Sequence, residues 1–187
     1  GGESETSVLT TVNISTSNDP IDLYVSESGS DADEGTQDSP FATIQHAMDV
    51  GFEKSFTVIV HLLKGRFYGE GNVGLTIANK GTLQIIGEAY NETVIDGENS
   101  NWFMNVRTTN VNVENLKFIN GQSSRTLITG DYKLNLKDCI IDSNKAQSYV
   151  MDGVLFEDLV YTNNDGSVYM SWYPNDSIVI SNSYFAN

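Results

Sequence analysis

Cysteine is nearly missing from this chain. Cys139 is the only one in 187 residues, so no intramolecular disulfide can brace the fold. Histidine is almost as scarce: His46 and His61 lack the Cys/His company that a transition-metal centre needs. Basic residues number 10 against 25 acidic ones, a net charge of −15. A surface of that sign excludes nucleic acid as a natural partner, because phosphate binding needs cations. It also works against an anionic polysaccharide unless bound cations intervene. No signal peptide and no run long enough to span a membrane is present, so the chain is not expected to insert into one, and Gly1-Gly2 reads as a processing scar.

What is present is a folding composition, 39% apolar and 10% aromatic, in a length that suits one domain with a substantial core. Residues 1–20 are Ser/Thr/Asn-rich, close at Asp19-Pro20, and read as a linker or N-terminal tail. Residues 21–187 form the folded domain. A strand at Leu23–Ser26 leads into the polar loop Gly29–Asp38. Ser39-Pro40 then opens a short helix near residues 40–50, with Ser39 as its cap, Pro40 in its first turn and Gly51 to end it. Phe41, Ile44 and Met48 give that helix one apolar stripe, suited to covering the open end of a β-stack.

From Phe56 onward the texture is short strands broken by Gly and Asn, such as Thr57–Leu62, Gly74–Ile77 and Thr82–Gly87. Four copies of an internal repeat follow, beginning at Val111, Leu134, Val154 and Ile178, at offsets of 23, 20 and 24 residues (134−111, 154−134, 178−154). Six columns run through them. Two are strand-interior: Val111, Leu134, Val154, Ile178 and Val113, Leu136, Phe156, Ile180. A bend column holds Asn115, Asp138, Asp158 and Asn182, followed by Leu116, Cys139, Leu159 and Ser183. Then come Phe118, Ile141, Tyr161, Phe185 and finally Asn120, Ser143, Asn163, Asn187.

A period near 22 with strand alternation means one solenoid coil per repeat, each buried only against its neighbours. Asn or Asp at a bend tolerates left-handed backbone. The L-x-x-L-x-L-x-x-N pattern of leucine-rich repeats is absent. The expected fold is therefore all-β: a right-handed parallel β-helix with three sheets, about 22 residues per coil and an N-terminal capping helix. Because the pattern stops in mid-repeat at Asn187, the native protein is expected to continue, and the uncapped last coil is a place for end-to-end stacking.

Leu23-Tyr24-Val25-Ser26, Gly29-Ser30-Asp31, Gly35-Thr36 and Ser39–Gln45, with Ile85-Ile86-Gly87 and Val94-Ile95-Asp96-Gly97, resemble the opening of pectin-lyase-like β-helix proteins. Within that group, the acidic, Asn-rich, nearly Cys-free texture is most similar to the adhesin-like surface proteins of methanogenic archaea. The resemblance implies an extracellular, surface-attached module. Three N-x-S/T sequons, at Asn13, Asn91 and Asn175, point to the same location as glycosylation acceptors. The enzymes of the group would need residues that are not assembled here. Gly-His-Gly with paired aspartates is missing, as are the Gln-Asp-Thr and Gly-Thr-Val-Asp-Phe segments of the methylesterases. A lyase base could come only from Lys117, Lys133, Lys137 or Arg125, by residue type alone.

Asp31, Asp33, Glu34 and Asp38 crowd one loop, and Asp31, Asp33 and Asp38 are the candidates should calcium bind. The EF-hand spacing fails, since Ala42 stands where the bidentate Glu belongs, so the loop reads as solvated and no cofactor is expected beyond a possible calcium ion. Cys139 shares a column with Leu116 and Leu159 and reads as a small buried hydrophobe. Trp102-Phe103, Tyr149, Tyr169, Trp172 and Tyr173 lie mostly outside the columns. There, Trp102, Tyr149, Tyr169, Trp172 and Tyr173 are candidates for stacking on sugar rings or anchoring a protein. The leading expectation is an extracellular adhesion or glycan-binding module without catalytic residues, its partners the surface glycans or proteins of other cells. The alternatives are a fragment of a polysaccharide lyase or other carbohydrate-active enzyme, and a structural stalk.

Overall fold

A computed structural model describes residues 17–79, 81–126, 128–130, 133–151, 154–165, 168–171 and 179–186. Every strand pairing among the described residues is parallel, and the chain winds as a β-solenoid of about 24 residues per turn. The first wall is a seven-stranded sheet of Ile21–Val25, Thr57–Leu62, Gly81–Gly87, Thr109–Glu114, Leu134–Lys137, Val154–Glu157 and Val179–Ser181. The second wall has six strands: Gly65–Phe67, Thr93–Asp96, Lys117–Ile119, Ile140–Asp142, Val160–Thr162 and Tyr184–Ala186. The third is divided. Leu75–Ile77, Met104–Val106 and Ile128–Gly130 form one short sheet, and Gln122–Thr126, Lys145–Met151 and Val168–Ser171 form another.

The period of two along each strand sends alternate side chains inward, and the parallel register stacks them into ladders. Along the first wall Leu23, Val60, Ile85, Val113, Leu136, Phe156 and Ile180 lie one above the next. Along the second wall Phe67, Ile95, Phe118, Ile141, Tyr161 and Phe185 do the same. These ladders contain two of the six repeat columns read from the sequence and extend them two to three coils toward the N-terminus. Burial is nearly complete down to Phe156 and Tyr161, whereas Ile180 and Phe185 on the last coil are 45% and 42% exposed. The ladder positions of Ile178 and Asn187 lie outside the described residues.

The corners are made by single left-handed residues. Asn115, Asp138, Asp158 and Asn182 have φ of 59°, 49°, 51° and 49° between the first and second walls, as their residue types predicted. The second corner repeats the device at Asn120, Ser143 and Asn163, with φ of 52°, 57° and 52°. One residue further on, the chain turns inward. Asn144 and Asn164 are buried there and make a hydrogen-bond ladder that the column alignment missed. Gly121 N–H donates to Asn144 Oδ1 (2.6 Å), Asn144 Nδ2 donates to Asn164 Oδ1 (2.9 Å) and to the Phe118 carbonyl (3.2 Å), and Asn164 Nδ2 donates to the Ile141 carbonyl (2.9 Å). Three short connections thereby satisfy backbone groups that no strand could reach.

The helix differs from expectation at both ends. It spans Ile44–Lys54, capped by Thr43, whose hydroxyl accepts His46 N–H at 3.2 Å. Residues 39–41 are spent otherwise. Phe41 pairs with Val25, its N–H donating to the Tyr24 carbonyl and its carbonyl accepting Ser26 N–H, so this segment covers the outer edge of the first strand. Gly51 lies inside the helix, not after it. A Cβ there would come 2.5 Å from Val58 Cγ1, so glycine serves close packing of the helix onto the sheet. Ile44, Ala47 and Met48 are buried, and Ile44 borders the same interior space as Leu75, Phe103 and Phe118. The helix thus closes the first coil, as the apolar stripe implied.

Candidate functional site

Register alone builds the most structured surface feature. On the outer face of the first wall, Tyr24, His61, Ile86, Glu114, Lys137 and Glu157 form one row, each directly beside the next. Tyr24 and His61 stack with ring centroids 4.7 Å apart and planes 17° from parallel. Asp22, in the adjacent row, holds the imidazole: its Oδ1 lies 2.7 Å from His61 Nε2. Where the first wall bends into the second, Leu62, Leu63, Gly87 and Glu88 complete a groove of about 190 Å³, with Gln37 reaching in from the polar loop. Glu88 is fixed by accepting Lys64 N–H at Oε2 (3.0 Å). His61 is therefore a held, strand-borne residue, and its partners 37 and 39 positions away were invisible to local motif reading.

The aromatic candidates separate. Phe103 belongs to the core, tilted against Phe118 at 5.1 Å, while its neighbour Trp102 is half-buried in the turn before Met104–Val106, near Gly74. Tyr149 and Tyr169 are brought together: they are register partners on adjacent strands of the third wall, with Val150 beside Met170. Trp172 and Tyr173 lie outside the described residues.

Asp31 has a job within the fold. Its Oδ1 accepts the N–H groups of Ala42 and Thr43 (both 2.9 Å) and its Oδ2 accepts the Thr43 hydroxyl (2.8 Å), anchoring the residues that lead into the helix. Asp33 and Asp38 are exposed in the same loop, and among the described residues no group of three His, Cys, Asp or Glu side chains is placed to hold a metal ion. Asn91 sits exposed in a turn, with the sequon's Thr93 fully buried. Asn13 and Asn175 lie outside the described residues.

Two of the candidate bases, Lys117 and Lys137, are paired on different walls. Lys117 Nζ is 3.4 Å from Asp142 on the second wall, and Lys137 Nζ is 3.8 Å from Glu157 on the first. Asp142 is further held by Thr162 Oγ1 (3.0 Å) and Asn163 Nδ2 (2.9 Å). Burial pushes its carboxyl upward, but those hydrogen bonds and the Lys117 ammonium outweigh it and leave Asp142 below the ordinary carboxylate value. Another ion pair is set deeper: the Asp96 side chain is 1% exposed, with Arg66 Nε at 2.8 Å and Asn120 Nδ2 at 3.0 Å. Cys139 is buried, as its column implied, and loss of solvation pushes its thiol up to about 12.

Among the described residues no helix is long and apolar enough to cross a membrane. Compared with known proteins, the chain matches no protein-family model, no curated protein and no solved structure.

Proposed function

We propose that this chain is an extracellular adhesion module of a cell surface that binds glycans or proteins of other cells and carries out no catalysis. The observation that carries the reading is the pairing of Tyr149 with Tyr169 on neighbouring strands of the third wall, with Trp172 following in the chain. Neighbouring strands of a sheet run about 4.8 Å apart, so the two tyrosines occupy adjacent backbone positions on successive coils. Aromatic faces are what the C–H face of a sugar ring packs on, and rigid aromatic residues are also the usual anchors of protein partners. The resemblance of residues 21–45 and 85–97 to pectin-lyase-like proteins, and of the acidic, Cys-poor texture to methanogen adhesin-like proteins, supports the surface location.

The test is a glycan array and whole-cell binding series with the parent chain, Tyr149→Ala and Tyr169→Ala, each checked by thermal melting. Binding lost in variants whose melting is unchanged supports the proposal. Parent binding that both variants retain in full would refute the third wall as the binding face.

A further inference from the structure

The groove beside Tyr24 and His61 is built as a binding site in its own right, separate from the third wall. We infer that it takes one neutral or amino-substituted pyranose, the terminal residue of a glycan. Only the choice of sugar as the ligand family rests on the adhesion reading; the polarity that selects among sugars comes from the groove itself.

Size sets the first limit. A volume of about 190 Å³ is below the range that drug-sized ligands fill, and it accommodates one ring with the rest of a chain left outside. The walls set the second. Leu63 and Ile86 supply apolar surface for a C–H face, next to the stacked pair of Tyr24 and His61, so a ligand that is amphipathic by face fits better than one that is uniformly polar.

The polar groups set the third limit, and they are strongly biased. Glu88 lines the groove and Asp22 stands at its margin through its contact with His61; both carboxylates can only accept hydrogen bonds when ionised. Each has one oxygen already engaged, Glu88 by Lys64 N–H and Asp22 by His61 Nε2, which fixes its orientation. Gln37 brings amide donors and an acceptor, and the Tyr24 hydroxyl adds one donor, against the two carboxylates. A site this rich in acceptors selects a ligand rich in donors, namely hydroxyls or an ammonium. It rejects carboxylates, sulfates and phosphates, and the chain's net charge of −15 acts in the same direction.

The experiment is an amide and side-chain amide NMR titration of the intact chain with glucosamine, methyl glucoside and galacturonate, repeated on Gln37→Ala and Glu88→Gln. Expected are shifts at Gln37, His61, Leu63 and Gly87, with affinity falling from glucosamine through methyl glucoside to galacturonate. Gln37→Ala, on an exposed loop, should weaken both binders by about tenfold at unchanged melting. Glu88→Gln should abolish the preference for glucosamine over methyl glucoside. Shifts confined to the third wall would overturn this site and leave the adhesion reading standing. Galacturonate binding as tightly as glucosamine would overturn the ligand class. Absence of any shift, together with an empty glycan array, would remove both.

Discussion

Asn144→Ala offers a sharp test of how the interior is held. Asn144 is buried, and its amide serves three groups of neighbouring coils: it accepts Gly121 N–H at 2.6 Å and donates to the Phe118 carbonyl at 3.2 Å and Asn164 Oδ1 at 2.9 Å. Alanine leaves the Gly121 donor without its partner and removes one of the hydrogen bonds that the Phe118 carbonyl accepts. Asn164 Oδ1 retains Asn144 N–H at 3.0 Å. The stranded buried donor costs about 1–3 kcal/mol and the lost bond to the Phe118 carbonyl about 0.5–1.5 kcal/mol, for a total of about 1.5–4.5 kcal/mol. For a domain of this length that is a fall in Tm on the order of 10 °C. The control is Asn135→Ala. Asn135 also bonds an asparagine on the next coil, its Nδ2 donating to Asn112 Oδ1 at 2.6 Å, but on the outer face of the first wall. Loss of an outward cross-strand pair costs about 0.2–1 kcal/mol. Urea denaturation with global fitting of midpoint and slope separates the two. Equal, small losses in both variants would refute the assignment of Asn144 to the interior.

Other perturbations follow the same geometry. Leu136→Asp and Phe156→Asp bury a carboxylate within the first-wall ladder and should abolish the folded state, whereas Lys117→Asp, which breaks one partly buried ion pair, should cost about 1 kcal/mol; far-UV CD melts distinguish them. Asp142 contributes stability that is fully present above the unfolded carboxylate value near ~4 and is lost as the pH falls through its lower folded value. Asp142→Asn should therefore flatten the acid limb of a stability–pH curve below about pH 4, and an unchanged limb would contradict it. Cys139, with its thiol pushed up to about 12, should resist thiol reagents at pH 8 until the chain is unfolded, and prompt native labelling would show that coil to be open. Millimolar calcium should move the Tm little, because both Asp31 oxygens are already taken; a large rise that vanishes in Asp31→Ala/Asp33→Ala would reverse this.

The repeat columns were legible because every inward position must match the coil above and below it, so Leu136 and Phe156 declare themselves by chemistry alone. The left-handed corners at Asn115, Asp138, Asp158 and Asn182 were legible for a steric reason that narrows the residue choice. The earlier coils are harder to read. Val58, Leu83 and Val111 share a ladder but are spaced unevenly by turns such as Ala89–Glu92 and Glu98–Asn101, which break any fixed period. The third wall has no common column because its strands split between two sheets. The helix start was misplaced because Ser39-Pro40 is a strong local signal, overruled when Phe41 paired with Val25. The groove was missed because outward positions need not repeat: Tyr24 and His61 become neighbours only after Leu23 is aligned over Val60.

The central claim is binding without turnover, and it is tested most directly by incubating the chain with polygalacturonate, pectin and neutral polysaccharides. Unsaturated products and new reducing ends are followed while bound polymer is measured in the same samples. The account predicts retention of a neutral polysaccharide with no product above a heat-denatured control. Product formation that disappears in Lys117→Ala or Lys137→Ala would contradict it and make the chain an enzyme.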